Sequence, residues 1–136
     1  MSVDIVIEVP AREWLTSNGR YHWADKARRT RSIRWRAQAA ALAHRLPDGR
    51  RHRRPWYAGR VRVTATVQGR MAGRMDPANA YPTIKAALDG LTDAGVWVDD
   101  DSSHVVGPDM RRGDPDNHLP TGAHRVTITI TELGGE

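Results

Sequence analysis

The hydrophobic spacing of this chain changes back and forth between two periods, and this limits the possible fold more than any other feature. Every second residue is apolar across Val3–Val9, which is typical of a strand with one face on a core. The same period returns at Val61–Val67 and at Val126–Ile130. Helical spacing occupies long segments between them. The sequence therefore predicts that strands and helices share one small fold.

The first helix is predicted over Asp25–Leu46, with Asp25 as its N-cap and the helix-ending Pro47-Asp48-Gly49 beyond it. Its apolar residues recur at spacings of four, three and four, and we expect them to form the stripe that faces the core: Trp35, Ala39, Leu42 and Leu46.

The second helix is predicted over about Pro82–Ala94. Pro82 suits the first helical position, and Gly95 is placed to cap the end. Its core face should consist of Ile84, Ala87, Leu88 and Leu91. Val96–Val98 leads straight into Asp99–Asp101.

A further short strand around His104–Val106 and the final alternating segment complete the order β-α-β-α-β-β. This order predicts an α/β (α+β) fold, with two helices covering one face of a small mixed sheet, and a single domain over residues 1–136. Because the chain has no cysteine, disulfides, thiolate zinc sites and cysteine nucleophiles are excluded. It also lacks an apolar run of membrane-spanning length and a secretory signal at the start, so we expect a cytoplasmic protein without a membrane partner.

Charge is distributed unevenly along the chain. Residues 1–75 contain 17 Lys and Arg against 5 Asp and Glu, whereas residues 76–136 contain 4 against 11. This pattern suits a polyanion bound by the first part and a divalent cation bound by the second, although ordinary solvated surface would give it too. All the cations except Lys26 and Lys85 are arginines, which suit phosphate contacts but can also reflect a GC-rich coding sequence.

Two groups of arginines are the candidates for binding a DNA backbone without reading its sequence: Arg28, Arg29, Arg31, Arg34 and Arg36 on the first helix, and Arg50, Arg51, Arg53 and Arg54 after it. Aromatic side chains lie among them, and they could stack on unpaired bases or serve packing alone: Trp23, Trp56 and Tyr57.

Carboxylates occur on both sides of the second helix. Asp76 precedes it and Asp99–Asp101 follow it, and one or two carboxylates from separate segments can hold Mg²⁺. A solvated acidic turn is the alternative. Lys85 lies four residues before Asp89, a spacing that gives either an ordinary ion pair or an ammonium that stabilises negative charge on a phosphate.

The region from Asp76-Pro77-Ala78-Asn79 to Asp99-Asp100 resembles the signature of the RusA family of Holliday junction resolvases. The most specific block runs from Lys85 through Leu88-Asp89-Gly90-Leu91 to Asp100. Ser17-Asn18-Gly19-Arg20-Tyr21 resembles the Ser-Asn-rich motif near the family's N-terminus, and Thr127–Glu132 resembles its closing strand. The likeness thus covers nearly the whole chain.

This resemblance implies a homodimeric, Mg²⁺-dependent endonuclease, with Mn²⁺ as a possible substitute, that nicks opposed strands of four-way DNA junctions in recombination and repair. Such proteins are bacterial and often carried by phages or prophages. It further implies that Asp76, Lys85 and Asp100 are catalytic and that Asp76, Asp99 and Asp100 hold the metal. The DNA-binding residues expected from the arginine groups and the motif are Arg29, Arg36, Arg70, Arg74 and Asn79.

The sequence departs from the family pattern next to its first aspartate. Ala78 replaces the second aspartate of the Asp-x-Asp-Asn motif, and three extra residues lie within Ala80–Thr83. Asp99, Asp101 or Asp89 could supply the missing oxygen, or a water could replace it. Alternatively, the protein binds junctions without cutting them efficiently. An intact Asp-x-Asp-Asn occurs at Asp114–Asn117, where we expect only the turn of a C-terminal hairpin.

Overall fold

A computed structural model describes residues 2–73 and 75–133, and in it four strands form one mixed sheet with two helices packed against it. The elements in chain order are β1 (Ser2–Val9), α1 (Trp23–Ala43), β2 (Val61–Gln68), α2 (Tyr81–Asp93), β3 (Val105–Arg112) and β4 (His124–Glu132). A single 3-10 turn, Pro77–Ala80, leads directly into α2. The predicted class and element order are confirmed.

The strands lie in the order β1-β4-β2-β3. β4 is antiparallel to both of its neighbours, and β2 and β3 are parallel. Alternate residues of β1, β2 and β4, such as Ile5, Ala65 and Ile128, are buried on the same face and join the helices in one hydrophobic cluster. The opposite face carries half-exposed threonines. One covered face explains the alternation seen in the sequence.

The predicted core stripe of α1 is wrong. Ile33, Ala37 and Ala41 face the core, whereas Trp35 is 66% exposed and Leu42 39% exposed. The physical reason is the close contact between α1 and α2: a Cβ at Gly90 would overlap the carbonyl oxygen of Arg34 and touch Ala37. Small side chains are required where two helix backbones approach this closely, so alanines occupy this contact, and Trp35 and Leu42 lie on the outer face.

The ends of α1 also differ from the prediction. His22 is the N-cap and accepts a hydrogen bond from the backbone of Ala24, while Asp25 lies inside the first turn. The helix ends at Ala43 because His44 adopts an extended conformation, three residues before Pro47. Leu46 therefore lies outside the helix and is half-buried.

The prediction for α2 is confirmed, since Ile84, Ala87, Leu88 and Leu91 are all buried and Gly95 has a φ of 82° just beyond the helix. Val96–Val98 does not form a strand. The backbone turns there, with the amide of Val96 bonded to the carbonyl of Leu91. Trp97 is buried and donates its indole N–H to Thr92 at 2.7 Å, which holds this turn against the helix.

The predicted C-terminal hairpin is also wrong. β3 and β4 are not neighbours, because β2 lies between them. Asp114–Asn117 therefore belongs to a connection that crosses the end of β2, where the amide of Asp116 bonds the carbonyl of Gly69 at 2.9 Å. β3 is longer than predicted because pairing with β2 continues to Arg112 after a register shift near Gly107.

None of the helices in the described ranges combines the length and apolarity needed to cross a bilayer.

Candidate active site and nucleic-acid surface

Lys85 joins two segments that are separate in the sequence. It lies on the exposed side of α2, and its Nζ donates to Asp89 at 3.0 Å and to Asp100 at 2.8 Å. These bonds raise the pKa of Lys85, with the Asp100 bond as the main cause, and the Lys85 bond lowers the pKa of Asp100. The structure thus brings together two of the three residues predicted to be catalytic, and adds Asp89.

The turn after α2 gives its three aspartates different roles. The carboxylate of Asp99 accepts a hydrogen bond from the amide of Asp100 at 2.8 Å and is otherwise exposed. The carboxylate of Asp101 accepts from Ser103 at 2.6 Å and lies 2.7 Å from the ring of His104. Asp101 therefore stabilises the approach to β3. Of the residues considered as a replacement for the missing aspartate, Asp89 is the one that shares a cation with Asp100.

Asp76 has a local structural role. Its side chain accepts a hydrogen bond from the amide of Ala78 at 3.0 Å and so caps the 3-10 turn. No hydrogen bond or ion pair of the described residues joins Asp76 to Asp99, Asp100 or Lys85. Within residues 2–73 and 75–133, no three His, Asp or Glu side chains are placed to hold a metal ion together. The structure does not bring the predicted metal ligands into one cluster.

The loop before α1 packs against the start of α2. The amide of Ser17 donates to the carbonyl of Asn79 at 2.8 Å, and Thr83 exchanges two hydrogen bonds with the backbone of Leu15 at 2.9 and 3.0 Å. Tyr21 holds the same loop through a bond from the amide of Thr16 at 3.1 Å. Two of the sequence blocks that carry the resemblance are therefore in contact, although about sixty residues separate them.

A basic loop, residues 50–60 together with the first two residues of β2 (residues 50–62 in all), lies beside the turn that carries Asp100. The amides of Trp56 and Tyr57 donate to the carbonyls of Gly95 and Val96 at 3.2 and 3.0 Å. Arg54 packs against Gly95. Several exposed arginines of this loop make no side-chain hydrogen bond or ion pair with the described residues: Arg51, Arg53, Arg54, Arg60 and Arg62.

Arg60 and Arg62 were not singled out from the sequence. The available signal is the alternation at the start of β2, which puts Arg62 on the outer face opposite buried Val61 and Val63. The aromatics of this region are partly used for packing: Trp56 stacks on His52 with ring centroids 3.7 Å apart. His52 in turn bonds His44 at 2.8 Å.

The arginines predicted on α1 are largely engaged within the fold. Arg29 donates to Asp25 at 2.8 Å and to the carbonyl of Trp14 at 3.0 Å. Arg36 binds both oxygens of Glu13 at 2.6 and 2.8 Å, and the Glu13 side chain is only 5% exposed. Their contact with DNA stays a prediction.

The basic residues before Asp76 are only partly placed. Arg70 is exposed and donates to the carbonyl of Leu119 at 3.1 Å, while Arg74 lies outside the described residues. Arg70 borders two clefts, of about 300 and 440 Å³, that flank the loop after β2. The side chain of Asn79 is half-buried.

The second Asp-x-Asp-Asn segment has a structural role. Asp116 accepts from Arg125 at 2.7 Å and from the amide of His118 at 2.9 Å, and these hydrogen bonds lower the pKa of Asp116 to about 2. Its oxygens are used to fix the connection between β3 and β4.

No protein-family model matches this chain, and no curated protein matches it.

Proposed function

We propose that this protein is a RusA-like, structure-specific endonuclease that binds four-way DNA junctions and nicks two opposed strands during recombination or repair. It would act as a homodimer in the cytoplasm of a bacterium, encoded by the host, a phage or a prophage. The observation that carries this proposal is that residues of the resemblance meet in the fold: Ser17 bonds Asn79 of a distant sequence block, and Lys85 bonds Asp100 at the other end of its own block.

The surroundings of Lys85 suit a phosphodiester. An ammonium has three N–H donors, and the one that is not used by Asp89 or Asp100 can be directed to a phosphate oxygen. Because its pKa is raised, Lys85 remains charged throughout the physiological range and cannot serve as a general base. Its role would be to stabilise negative charge that develops on the phosphate.

The arginines of residues 50–62 would hold the DNA backbone next to Lys85. The two backbone hydrogen bonds from Trp56 and Tyr57 fix this loop beside the segment that ends at Asp100. Arginines without internal carboxylate partners retain their full charge for phosphates, and phosphate contacts position DNA without reading its sequence. A junction, which is recognised by its shape, suits such a surface.

The proposed cofactor is Mg²⁺, with Mn²⁺ as a substitute. Whether the residues of this site could hold such an ion depends on where their carboxylates lie. The carboxylates of Asp89 and Asp100 both bind the ammonium of Lys85. The carboxylate of Asp76 accepts a hydrogen bond from its own 3-10 turn. As they stand, these residues do not fit a resident metal ion. We therefore assign no step of the reaction to one, and the dependence on Mg²⁺ is left to experiment.

A direct test uses a synthetic four-way junction. We expect the protein to bind it in EDTA and to cut it when Mg²⁺ or Mn²⁺ is added. Asp100→Asn, Asp76→Asn and Lys85→Met should abolish cutting and leave binding nearly intact. Asp101→Asn is the matched control, because Asp101 is bonded to Ser103 and His104 and should keep wild-type cutting.

A second function is favoured by one specific feature, the exposed Ala78 beside Asp76. Alanine cannot bind a cation, so the same fold could bind junctions without cutting them. Binding in EDTA with an uncut junction across the whole Mg²⁺ and Mn²⁺ titration would support this function and rule out the nuclease. Wild-type cutting by both aspartate variants would instead place the reaction elsewhere on the molecule.

A further inference from the structure

The segment that follows α1 folds back and closes a small cavity against the ends of both helices. Its first part is held by a bridge between Arg45 and Arg51 and by a bond of 2.9 Å from the amide of Leu46 to the carbonyl of Arg50. Its last part is held by backbone hydrogen bonds to the turn after α2. The cavity has a volume of about 50 Å³. Because the loop is fixed at both ends, this cavity is built into the fold.

The side chains around the cavity are rich in hydrogen-bond donors and in positive charge. Two arginines and two histidines line it: Arg51, Arg54, His44 and His52. None of the described residues that line it has a carboxylate. The stem of Arg54 packs against Gly95, which restricts where its guanidinium can lie. The cavity therefore suits an anion.

The C-terminal ends of α1 and α2 lie beside the cavity, and free carbonyls there would repel an anion. These carbonyls already accept hydrogen bonds. The carbonyl of Leu42 accepts from Arg45 at 2.8 Å, and that of Ala41 accepts from the amide of His44 at 3.1 Å. At the end of α2, the carbonyls of residues 90–92 accept from amides that directly follow the helix. The negative ends of the two helices are thus compensated within the chain.

The two histidines form a pair that can gain one proton and one further donor. His44 Nδ1 and His52 Nε2 lie 2.8 Å apart, so one of these nitrogens donates a hydrogen bond to the other. When both rings are neutral, only one of the two remaining nitrogens carries a hydrogen. A single added proton puts an N–H on both of them and gives the His44–His52 pair one positive charge.

The charges that face His52 come from three elements. Burial lowers its pKa, and the charges of His44 and Arg45 at the end of α1 lower it further. The two arginines of the loop face the same cavity, and among the described lining residues the end of α2 contributes only Ala94. These charges are all positive. An anion would compensate them and allow the pair to take up its proton.

We propose that this cavity binds a terminal phosphate group, a phosphomonoester in its dianionic form, and that the His44–His52 pair takes up one proton when the group binds. Near neutral pH such a group carries nearly two negative charges, since its second pKa is about 6. The two arginines match this charge. A small cavity admits a group with three free oxygens, whereas a phosphodiester continues on both sides of its phosphorus and needs an open groove.

This site goes beyond the proposed function, in which the arginines of residues 50–62 hold a phosphodiester backbone. A terminal phosphate occurs at the 5′ end of a DNA strand and on a free mononucleotide, and both present the same chemistry to the cavity. Because the tests below involve no cutting, a protein that cuts no junction would leave the inference unaffected.

Methyl phosphate and dimethyl phosphate are matched probes, because the second is a diester with one charge. Histidine ring signals, followed by NMR while each ester is added to the wild-type chain, report binding at the pair. We expect methyl phosphate to bind at least about tenfold more tightly at pH 7. Since one proton is taken up, its affinity should be severalfold higher at pH 7 than at pH 8. Equal affinities for the two esters, or an affinity independent of pH, would overturn the proposal.

His52→Gln tests the pair itself. It keeps a polar side chain but removes the titrating ring, so methyl phosphate should bind more weakly and with no dependence on pH. His118→Gln is the matched control and should bind like wild type, since the side chain of His118 is 92% exposed and lies outside the cavity. The amide signals of β4 check that each variant folds. Wild-type binding by His52→Gln would overturn the proposal, and the comparison of the two esters does not depend on this variant.

Competition against methyl phosphate identifies the source of the group. A DNA strand with a 5′-phosphate is compared with the same strand bearing a 5′-hydroxyl, and adenosine monophosphate represents a free mononucleotide. Whichever of the phosphorylated strand and the mononucleotide displaces methyl phosphate at the lower concentration is the favoured source. Displacement by neither, or equal displacement by the strand with a 5′-hydroxyl, would overturn the proposal.

Discussion

The Glu13–Arg36 pair is the most buried ionic contact among the described residues. Arg36 offers two parallel N–H groups to both carboxylate oxygens, and Glu13 is nearly inaccessible to water. Such a pair contributes little by its charges alone, because both groups lose hydration when they are buried. Removal of one partner is costly, since the other is left buried without hydrogen bonds.

We therefore expect Arg36→Met to lower the free energy of unfolding by about 2 kcal/mol at neutral pH, as measured by urea denaturation. Lys26→Met, at an exposed position of the same helix whose side chain makes no bond in the described chain, should change it by less than about 0.5 kcal/mol. If Arg36→Met lowered the free energy of unfolding no more than Lys26→Met does, the Glu13–Arg36 pair would contribute nothing to stability.

The contribution of the Glu13–Arg36 pair to the stability of the fold depends on pH, and its direction follows from the pKa of Glu13. The Arg36 hydrogen bonds hold the pKa of Glu13 below its usual value of 4.5. Above pH 4.5 both the folded and the unfolded chain have an ionised Glu13, and the contribution of the pair is complete. As the pH falls through the folded pKa, this contribution is lost. The stability difference between wild type and Arg36→Met should narrow below pH 4.5, and a constant difference would contradict this.

Lys85 permits a test that does not involve DNA. Lys85→Met leaves Asp89 and Asp100 near each other without the cation between them, so the pKa of Asp100 should rise from its lowered value. Lys85→Arg should keep the pKa low. Carboxyl chemical shifts followed by NMR against pH measure both. An unchanged Asp100 pKa in Lys85→Met would mean that the Lys85–Asp100 contact is not maintained in solution.

At the scale of single elements, α2 could be predicted from the sequence and α1 only in part. α2 has a clear apolar face, a proline in its first turn and a glycine beyond its end, and all three signals agree. In α1 the apolar spacing selected Trp35 and Leu42, whereas Ile33 and two alanines, Ala37 and Ala41, face the core. The deciding contact is the backbone of α1 against Gly90, a long-range approach that spacing within one helix does not reveal.

The segment after α1 should respond to mild acid. His52 is packed between His44 and Trp56, and Arg51 and Arg54 line the same small cavity, with no carboxylate among its lining residues. Burial, together with the charges of His44 and Arg45, lowers the pKa of His52 from its usual 6.5. The unfolded segment thus binds a proton more readily, and its stability should fall as the pH drops below 6.5.

Hydrogen exchange can locate this effect. Below pH 6.5, after correction for intrinsic rates, we expect severalfold faster exchange of the Trp56 and Tyr57 amides, which bond the carbonyls of Gly95 and Val96 in the turn after α2. Amides of β4 serve as the internal reference. His52→Gln should remove most of the pH dependence of exchange. An equal change in the exchange rates of the Trp56 and Tyr57 amides and of the β4 amides would contradict the prediction.

At the scale of the whole molecule, strand order was the part of the fold that the sequence could not supply. Periodicity predicts strands but not their neighbours, and the expected hairpin failed because β2 lies between β3 and β4. Charge shows the same limitation. The sequence separates a basic part from an acidic part, yet folding engages arginines of the basic part with carboxylates, as in Arg34–Asp93 across the two parts and Arg36–Glu13 within the first. The composition therefore overstates the number of arginines that are available to bind a partner.

This pairing predicts which arginines control the salt dependence of DNA binding. Each phosphate contact contributes about 0.9 to the slope of log K against log salt concentration. Arg53→Gln should reduce this slope by about that amount, because Arg53 is exposed and has no partner in the described chain. Arg29→Gln should change it by less than about 0.3, since Arg29 is already bonded to Asp25 and Trp14.

Fluorescence anisotropy with a labelled four-way junction in EDTA, repeated from low to physiological salt, gives both slopes. EDTA separates binding from cutting, so the result holds for the nuclease and for the non-cutting binder alike. Equal slopes for the two variants would mean that DNA does not lie against residues 50–62. A larger effect from Arg29→Gln would instead assign the phosphate contacts to α1, and Asp25 would then have to release its arginine when DNA binds.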